Sequence, residues 1–257
     1  MSRRFKITLA YDGRPFDGWQ SQSAGNTVQD CLREAASAIA KQPLAVHGAG
    51  RTDAGVHALG QVAHFDAPEG NKMSANDWQK ALHTKLPRTI RVVESEEVAV
   101  DFHCRYSSKR KTYRYEIDTA AIHSPLRVGL AWHVYYPLEE AVLREALSLF
   151  QGERDFVNLA AKRRGGKVVR STVRTIYRVD LDVRESGYDL SFEGDGFLYK
   201  MVRMMVGAAV DCARGRESTE WIRAMLESPA TTGKCSACAP ADGLYLVGVD
   251  YSDTGSD

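Results

Sequence analysis

Alternating apolar and polar positions near the start of the chain predict a β-strand. Phe5, Ile7, Leu9 and Tyr11 recur at a period of two, with mostly polar residues between them. That alternation is typical of a strand with one buried face. Beyond a polar loop, Thr27 is suited to cap a helix, because the apolar positions that follow it recur at a helical period.

The rest of the first half continues with short periodic segments. Apolar runs at Leu44–His47 and Leu59–Phe65 predict two strands. Ser74 is a second candidate helix cap, and Ile90–Val100 predicts another strand. The predicted order is strand, helix, strand, strand, helix, strand.

A similar order of elements begins again near residue 103. The predicted elements there are a strand at Lys111–Asp118, a helix at Leu138–Phe150, a hairpin of Ile176–Val183 with Tyr188–Phe192, a helix at Leu198–Arg214 and a strand at Leu244–Val249. We therefore expect an α+β fold of two tandem ferredoxin-like or RRM-like halves, residues 1–102 and 103–257. Their sheets are expected to share one extended antiparallel sheet with helices on one face.

Composition and charge narrow the function classes. The 34 Lys and Arg residues balance 33 Asp and Glu residues, so the net charge of +1 gives no general attraction to nucleic acid. The longest apolar segment, near Met201–Val210, is too short to cross a bilayer and contains Arg203. Five irregularly spaced cysteines and the absence of an apolar leader predict a reduced, cytoplasmic protein without a membrane role.

Positive charge is nevertheless segregated along the chain. The stretches 103–115 and 156–179 contain many Lys and Arg residues and no acidic residue, and tyrosines are interleaved with them. A solvated face is the ordinary explanation of one such cluster, but two of them with aromatic residues favour RNA binding. The candidate binding residues of the first stretch are Arg105, Lys109, Arg110 and Lys111. In the second stretch, Lys162–Lys167 is predicted to be a mobile loop that orders around an RNA backbone.

The run GRTDAGVHALGQVAHF, residues 50–65, carries the candidate chemistry. Asp53 stands on a predicted turn between two strands, and Gly50 and Gly55 flank it. Glycine permits backbone angles that other residues resist, so the sheet can hold the turn while the carboxylate reaches into a cleft.

Three other interpretations of this run are a dinucleotide-binding fingerprint, a metal site and a purely structural turn. A dinucleotide fingerprint fails, because Asp53 occupies the third glycine position and a strand follows where a helix is needed. A metal site has candidate ligands in His47, Asp53, His57, His64 and Asp66, but their spacing matches no metal motif. Elsewhere in the chain, Cys235 and Cys238 form a CxxC motif. A zinc ribbon needs a second such pair, which the sequence lacks, so a chance spacing is favoured. Arg51 and Asp53 would, on a third interpretation, only pin a turn.

Five stretches of the sequence together resemble the TruA family of pseudouridine synthases. They are YDGRPFDGWQ with the later TVQD, then GRTDAGVHALGQVAHF, FHCRYSSKRKTYRY, GFLYKMVRMMVG and APADGLYLVGVDY. They occur in the family's order and span Tyr11 to Tyr251. The resemblance implies isomerisation of uridines 38–40 in the anticodon stem-loop of tRNA, by a homodimer that needs no cofactor or metal.

The resemblance also implies roles for individual residues. Asp53 would be the essential carboxylate, Arg203 the cation paired with it, and Tyr113 the ring that lies against uracil. Arg51 would help to move the target nucleotide out of its stack, and Leu244 would contact the base. A noncatalytic RNA-binding protein and a metal-dependent nuclease that uses Asp53 and the histidines are the rival functions.

Overall fold

The computed structural model describes residues 3–161 and 171–252, which fold into two compact units. The first unit contains residues 3–109 and 245–252, and the second contains the described part of residues 110–244. Both units combine strands with helices, which confirms the predicted α+β class. The predicted division into residues 1–102 and 103–257 stays a prediction. The basic segment Lys162–Lys167, predicted to order around RNA, lies outside the described residues.

The elements follow the chain in this order. The first six are β1 Arg3–Tyr11, α1 Val28–Ala40, β2 Val46–Gly48, β3 His57–Ala67, α2 Ala75–Lys85 and β4 Ile90–Val98. The next eight are β5 Arg110–Asp118, β6 Trp132–His133, α3 Glu140–Ser148, β7 Gly152–Asp155, β8 Val173–Arg184, β9 Gly187–Gly194, α4 Met201–Ala213 and α5 Thr219–Glu227. Short 3-10 helices cover Pro125–Arg127 and Val157–Leu159, and β10 covers Leu244–Asp250.

In the first unit the sheet is centred on β1 and β3. β1 runs antiparallel to β3 on one side and to β4 on the other. β2 pairs antiparallel with the second half of β3, and β10 pairs parallel with its start, Tyr245 opposite His57. The predicted order of elements is confirmed for this half. The sheet is mixed, however, which corrects the expectation of purely antiparallel strands.

The two helices of the first unit begin at the predicted caps. The Thr27 side chain accepts a hydrogen bond from the Asp30 amide, and Ser74 and Asp77 form a reciprocal capping box. Each bond satisfies an amide that the first helical turn leaves without a partner. Below the helices, the rings of Phe5, Phe65 and Trp78 pack with centroids 4.8–6.0 Å apart and are fully buried.

The second unit contains a sheet in the order β5, β9, β8, β7, with each neighbouring pair antiparallel. The predicted β8–β9 hairpin is confirmed, and β6 adds a short parallel pairing to β5. Helix α4 is buried over almost its whole length, since it is apolar on nearly every side. Among residues 3–161 and 171–252, no helix is both long and apolar enough to cross a membrane.

Candidate active site

Asp53 opens a tight turn that leads into β3. Its carbonyl oxygen accepts a hydrogen bond from the Val56 amide at 3.1 Å, and Gly55 has a φ of +80° at the third position. A positive φ there is the signature of a type II turn, which explains the glycine. Gly50 is not among the positive-φ residues, so the expectation that it needs special backbone freedom is wrong. Asp53 itself is half-buried.

The residue before Asp53 is anchored to β1. The hydroxyl groups of Tyr11 and Thr52 lie 2.8 Å apart, and the Trp19 amide donates to the Thr52 carbonyl oxygen at 3.1 Å. Burial raises the pKa of Tyr11 to about 12, so its phenol keeps its proton at neutral pH. Both the side chain and the backbone of Thr52 are thereby fixed, and Asp53 follows directly.

The loop after β1 packs against this turn backbone to backbone. A Cβ placed on Gly13 would meet the Val56 carbonyl oxygen at 2.1 Å, and one on Gly18 would meet that of Thr52 at 2.5 Å. Gly18 also has a φ of +91°. Glycine is therefore required on both sides of Asp53 for steric reasons. The sequence analysis missed this role, although both glycines stand in the stretch YDGRPFDGWQ.

A hydrogen bond to the buried ring of His57 holds the end of the turn. The Gly13 amide donates to Nδ1 of His57 at 3.1 Å, and the His57 ring stacks on Tyr245 with centroids 4.7 Å apart. The Arg14 guanidinium donates a hydrogen bond to the Asp12 carboxylate at 2.6 Å, and this bond holds the pKa of Asp12 below its usual range. His57 is buried, which makes it a support of the turn rather than a surface residue.

Three other residues predicted for the active site, Tyr113, Arg203 and Leu244, belong to the second unit. Tyr113 on β5 is 7% exposed, and its ring meets Phe197 edge to face at 5.0 Å. Arg203 on α4 donates from Nε to the Ala239 carbonyl oxygen at 2.8 Å. Leu244 is buried at the start of β10. Because Asp53 lies in the first unit, its predicted pairing with Arg203 stays a prediction.

The segment after α5 is fixed to α4 beside Arg203. The Ala239 amide donates back to the Arg203 carbonyl oxygen at 2.9 Å, and the Tyr115 hydroxyl donates to the Pro240 carbonyl oxygen at 2.8 Å. A Cβ on Gly207, one turn beyond Arg203, would come within 3.0 Å of the Cys238 amide nitrogen. Arg203 therefore stands where α4 and this segment meet.

The candidate RNA-binding residues have different surroundings. Arg105 and Lys109 are exposed, and the Arg105 guanidinium lies 5.8 Å from the ring centre of Tyr106, which is 78% exposed. Arg110 instead forms an ion pair with Glu193 at 2.8 Å. Lys111, also on β5, is half-buried, and Arg51 is exposed.

Two cations of the stretch 103–115, which itself contains no acidic residue, form ion pairs with acids outside it. Arg114 contacts Glu116 at 2.8 Å, just outside the stretch 103–115, and Arg110 takes its partner from β9. Strand pairing brings together residues that are far apart in sequence, so a local absence of acids does not leave every cation unpaired.

The five residues weighed as metal ligands do not gather around Asp53. Within the described parts of the chain, the only metal-compatible group is His64 with His103 and Cys104. None of the five cysteines, all within the described residues, forms a disulfide bond, and Cys235 and Cys238 are not part of that group. The sequence analysis missed the group because its members come from separate segments.

Comparison with known proteins gives consistent matches along the chain. Residues 7–107 and 146–252 match the family model described as tRNA pseudouridine synthase. The chain is 45% identical over 255 residues to tRNA pseudouridine synthase A of Akkermansia muciniphila, covering 97% of this chain and 96% of that protein. It is 43% identical over 260 residues to the protein of the same name from Solidesulfovibrio magneticus, covering 98% and 92%.

More distant matches follow. A protein of the same name from Limosilactobacillus reuteri is 40% identical over 253 residues, covering 96% of each chain. Among solved structures, a chain of "Crystal Structure of a Cbf5-Nop10-Gar1 Complex" covers 80% of this chain and 44% of its own length, at 13% identity and a TM-score of 0.36. A likeness that low does not bear on function.

Proposed function

Because the chain belongs to the tRNA pseudouridine synthase family, isomerases that act on uridines of tRNA, we propose that it converts uridines 38–40 of the anticodon stem-loop to pseudouridine. The observation that supports this most directly is the turn at Asp53. A half-buried carboxylate stands on a turn that hydrogen bonds and two close glycine contacts hold in place. Such fixed placement is what a reaction dependent on orientation requires.

The reaction moves one bond and needs no redox partner. The bond between ribose C1′ and uracil N1 breaks, the base turns within the site, and C5 bonds to C1′; C5 then loses its proton and N1 gains one, so the product is an isomer of the substrate. In this proposal Asp53 is the essential carboxylate, acting near the sugar and uracil C6. Arg203 keeps it ionised, and Tyr113 lies against the ring and accepts the C5 proton.

The target nucleotide must leave its stack before it can react. In this proposal Arg51 helps to evert the uridine, and Leu244 contacts the base once it is in place. Arg105, Lys109, Arg110 and Lys111 bind the tRNA backbone. For Arg110, tRNA phosphate has to compete with Glu193, so we expect Arg105 and Lys109 to contribute more to affinity.

The assembly and location are also proposals. We infer a homodimer in which one tRNA contacts both subunits, on the strength of the family resemblance. A cytoplasmic location fits five cysteines that form no disulfide bond among the described residues, because cytoplasmic thiols are kept reduced.

Tritium release tests the proposed reaction. Unmodified tRNA carrying tritium at uracil C5 should lose label to water in proportion to the pseudouridine formed, and positions 38–40 should carry the new residue. The tRNA should keep its full length on a denaturing gel. Retained label with normal tRNA binding would show a binding protein, and shortened tRNA would show a nuclease. Either result would overturn the proposal.

A further inference from the structure

Three side chains with metal-binding atoms converge at the end of β3 away from the Asp53 turn. His64 lies on β3, and His103 and Cys104 lie in the loop after β4. Their candidate ligand atoms are all within 4.8 Å of one another. His57, at the start of β3, is seven residues from His64, which corresponds to about 23 Å of extended strand. The group is therefore separate from the turn that carries Asp53.

A third histidine borders the group. His47 on β2 is the cross-strand partner of His64, and their rings stack with centroids 5.0 Å apart. The His47 ring is also 5.6 Å from that of His103, which in turn lies 4.7 Å from His64. The Cys104 thiol donates to the His47 carbonyl oxygen at 3.3 Å. Three imidazoles and one thiol therefore occupy a single corner of the first unit.

These nitrogen and sulfur donors fit a divalent cation that is intermediate between hard and soft, such as Zn²⁺. Imidazole coordinates a metal through the lone pair of a ring nitrogen, and a thiol coordinates as thiolate. Thiolate together with imidazole is a ligand set that Zn²⁺ takes in tetrahedral sites. The set contains no carboxylate, which disfavours Mg²⁺ and Ca²⁺.

We propose that His64, His103 and Cys104 bind a divalent cation of the Zn²⁺ class, with His47 as the fourth ligand. On binding, the Cys104 thiol gives its proton to solvent and the sulfur coordinates as thiolate. The bound ion fastens the loop that carries Arg105 to β2 and β3. It is a structural site and takes no part in the isomerisation.

Binding requires a modest local rearrangement. Bonds of about 2.0–2.3 Å in a tetrahedron place ligand atoms roughly 3.5 Å apart, so the present group must contract by about 1 Å. Nδ1 of His64 and Nδ1 of His103 accept hydrogen bonds from the amides of Cys104 and Arg105 at 3.3 and 3.2 Å. These bonds are long, and metal coordination replaces them.

Cobalt substitution tests the site without measuring enzyme activity. The full-length chain is treated with a chelator, desalted and titrated with Co²⁺ alone and then with Zn²⁺ alone. We expect one Co²⁺ per chain, with the visible bands of tetrahedral cobalt and a thiolate-to-cobalt charge-transfer band that Zn²⁺ removes. Zn²⁺ should also raise the temperature of unfolding, because it binds only the folded state.

Two cysteine variants separate coordination from packing. Cys104→Ser should abolish the charge-transfer band and weaken Zn²⁺ binding by about 100-fold or more, beyond the 10–100-fold effect of losing a supporting group. The matched control is Cys212→Ser, since Cys212 is also buried and donates to a backbone carbonyl oxygen, that of Ser218, at 3.2 Å. It should bind the metal as the wild type does.

A partly exposed ligand provides a second variant if Cys104→Ser does not fold. His103→Asn should likewise weaken Zn²⁺ binding, while Co²⁺ retained by this variant still shows the thiolate band. The absence of stoichiometric binding by the wild type would overturn the proposal. So would cobalt spectra without a thiolate band, or equal Zn²⁺ affinity of the Cys104→Ser and Cys212→Ser variants.

Discussion

The hydroxyl of Tyr11 on β1 lies 2.8 Å from the hydroxyl of Thr52, the residue directly before Asp53. Both side chains are buried, with exposed fractions of 4% and 6%. A buried hydrogen bond holds its geometry well, because breaking it would leave buried polar groups without this partner. The position of the Asp53 turn is therefore set by a strand more than 40 residues earlier in the chain.

Tyr11→Phe should lower turnover more than it lowers tRNA binding. The variant keeps the ring but leaves the Thr52 hydroxyl buried without this partner, which costs about 1–3 kcal/mol of stability. We expect kcat to fall while the dissociation constant for tRNA stays within about twofold. Tyr251→Phe is the control, since its hydroxyl donates to the Cys104 carbonyl oxygen, also at 2.8 Å. An unchanged kcat for Tyr11→Phe would contradict the positioning role.

Gly18→Ala should damage the active site more than Gly25→Ala. Both glycines have positive φ, +91° and +72°, so alanine strains the backbone by about 1–2 kcal/mol at either position. Only at Gly18 would the new Cβ meet backbone, 2.5 Å from the Thr52 carbonyl oxygen, whereas nothing lies within 4 Å at Gly25. Tritium release by the two variants and their urea unfolding curves test this. Equal activities would mean that the turn tolerates displacement.

Asp12→Asn should destabilise the protein near neutral pH and lose this effect in acid. The Arg14 hydrogen bond lowers the pKa of folded Asp12 below the ordinary 3.8, so the stabilisation is present above pH 3.8. This stabilisation is lost as the pH falls through the lowered pKa of folded Asp12. The unfolding free energies of wild type and variant should therefore differ at pH 6 and converge only below pH 3.8, once the pH has passed the lowered pKa of folded Asp12. Arg14→Gln, which removes the cause of the shift, should reduce the difference at pH 6.

Local patterns explain which elements the sequence predicted. β1, the caps at Thr27 and Ser74 and the β8–β9 hairpin depend on neighbours within a few residues, and all are confirmed. β7 was missed because Gly152–Asp155 is short and polar, without alternation. Whether a short polar segment pairs with a sheet depends on β8, which the local pattern does not contain.

The candidate site was likewise predictable from the sequence only where it depends on neighbouring residues. Asp53 was predicted because a motif surrounds it in sequence. Its supports at Tyr11 and Gly18, the ion pair of Arg110 with Glu193, and the group around His64 all depend on contacts between distant segments. Periodicity and composition carry no information about such contacts.

Asp53→Asn should bind tRNA normally and release no tritium. The amide keeps the shape of the carboxylate but removes its charge and basicity, while the cations that bind the backbone remain. Asp17→Asn, an exposed position on the loop beside the turn, is the matched control and should keep wild-type turnover. Measurable tritium release by Asp53→Asn, above that of a boiled sample, would remove Asp53 from its proposed role.

Arg105→Ala should weaken tRNA binding and make it less sensitive to salt. If about six phosphates are neutralised, the wild-type affinity should fall roughly 10³-fold between 50 and 200 mM salt. Loss of one phosphate contact should reduce the slope of log K against log salt by about 1. Arg144→Ala is the control, because Arg144 forms an ion pair with Glu140 on α3, a helix to which we assign no tRNA contact. Filter binding at several salt concentrations measures both slopes. If Arg105→Ala keeps the wild-type slope, Arg105 does not contact a phosphate, and the exposed ring of Tyr106 beside it becomes the residue to test for base stacking.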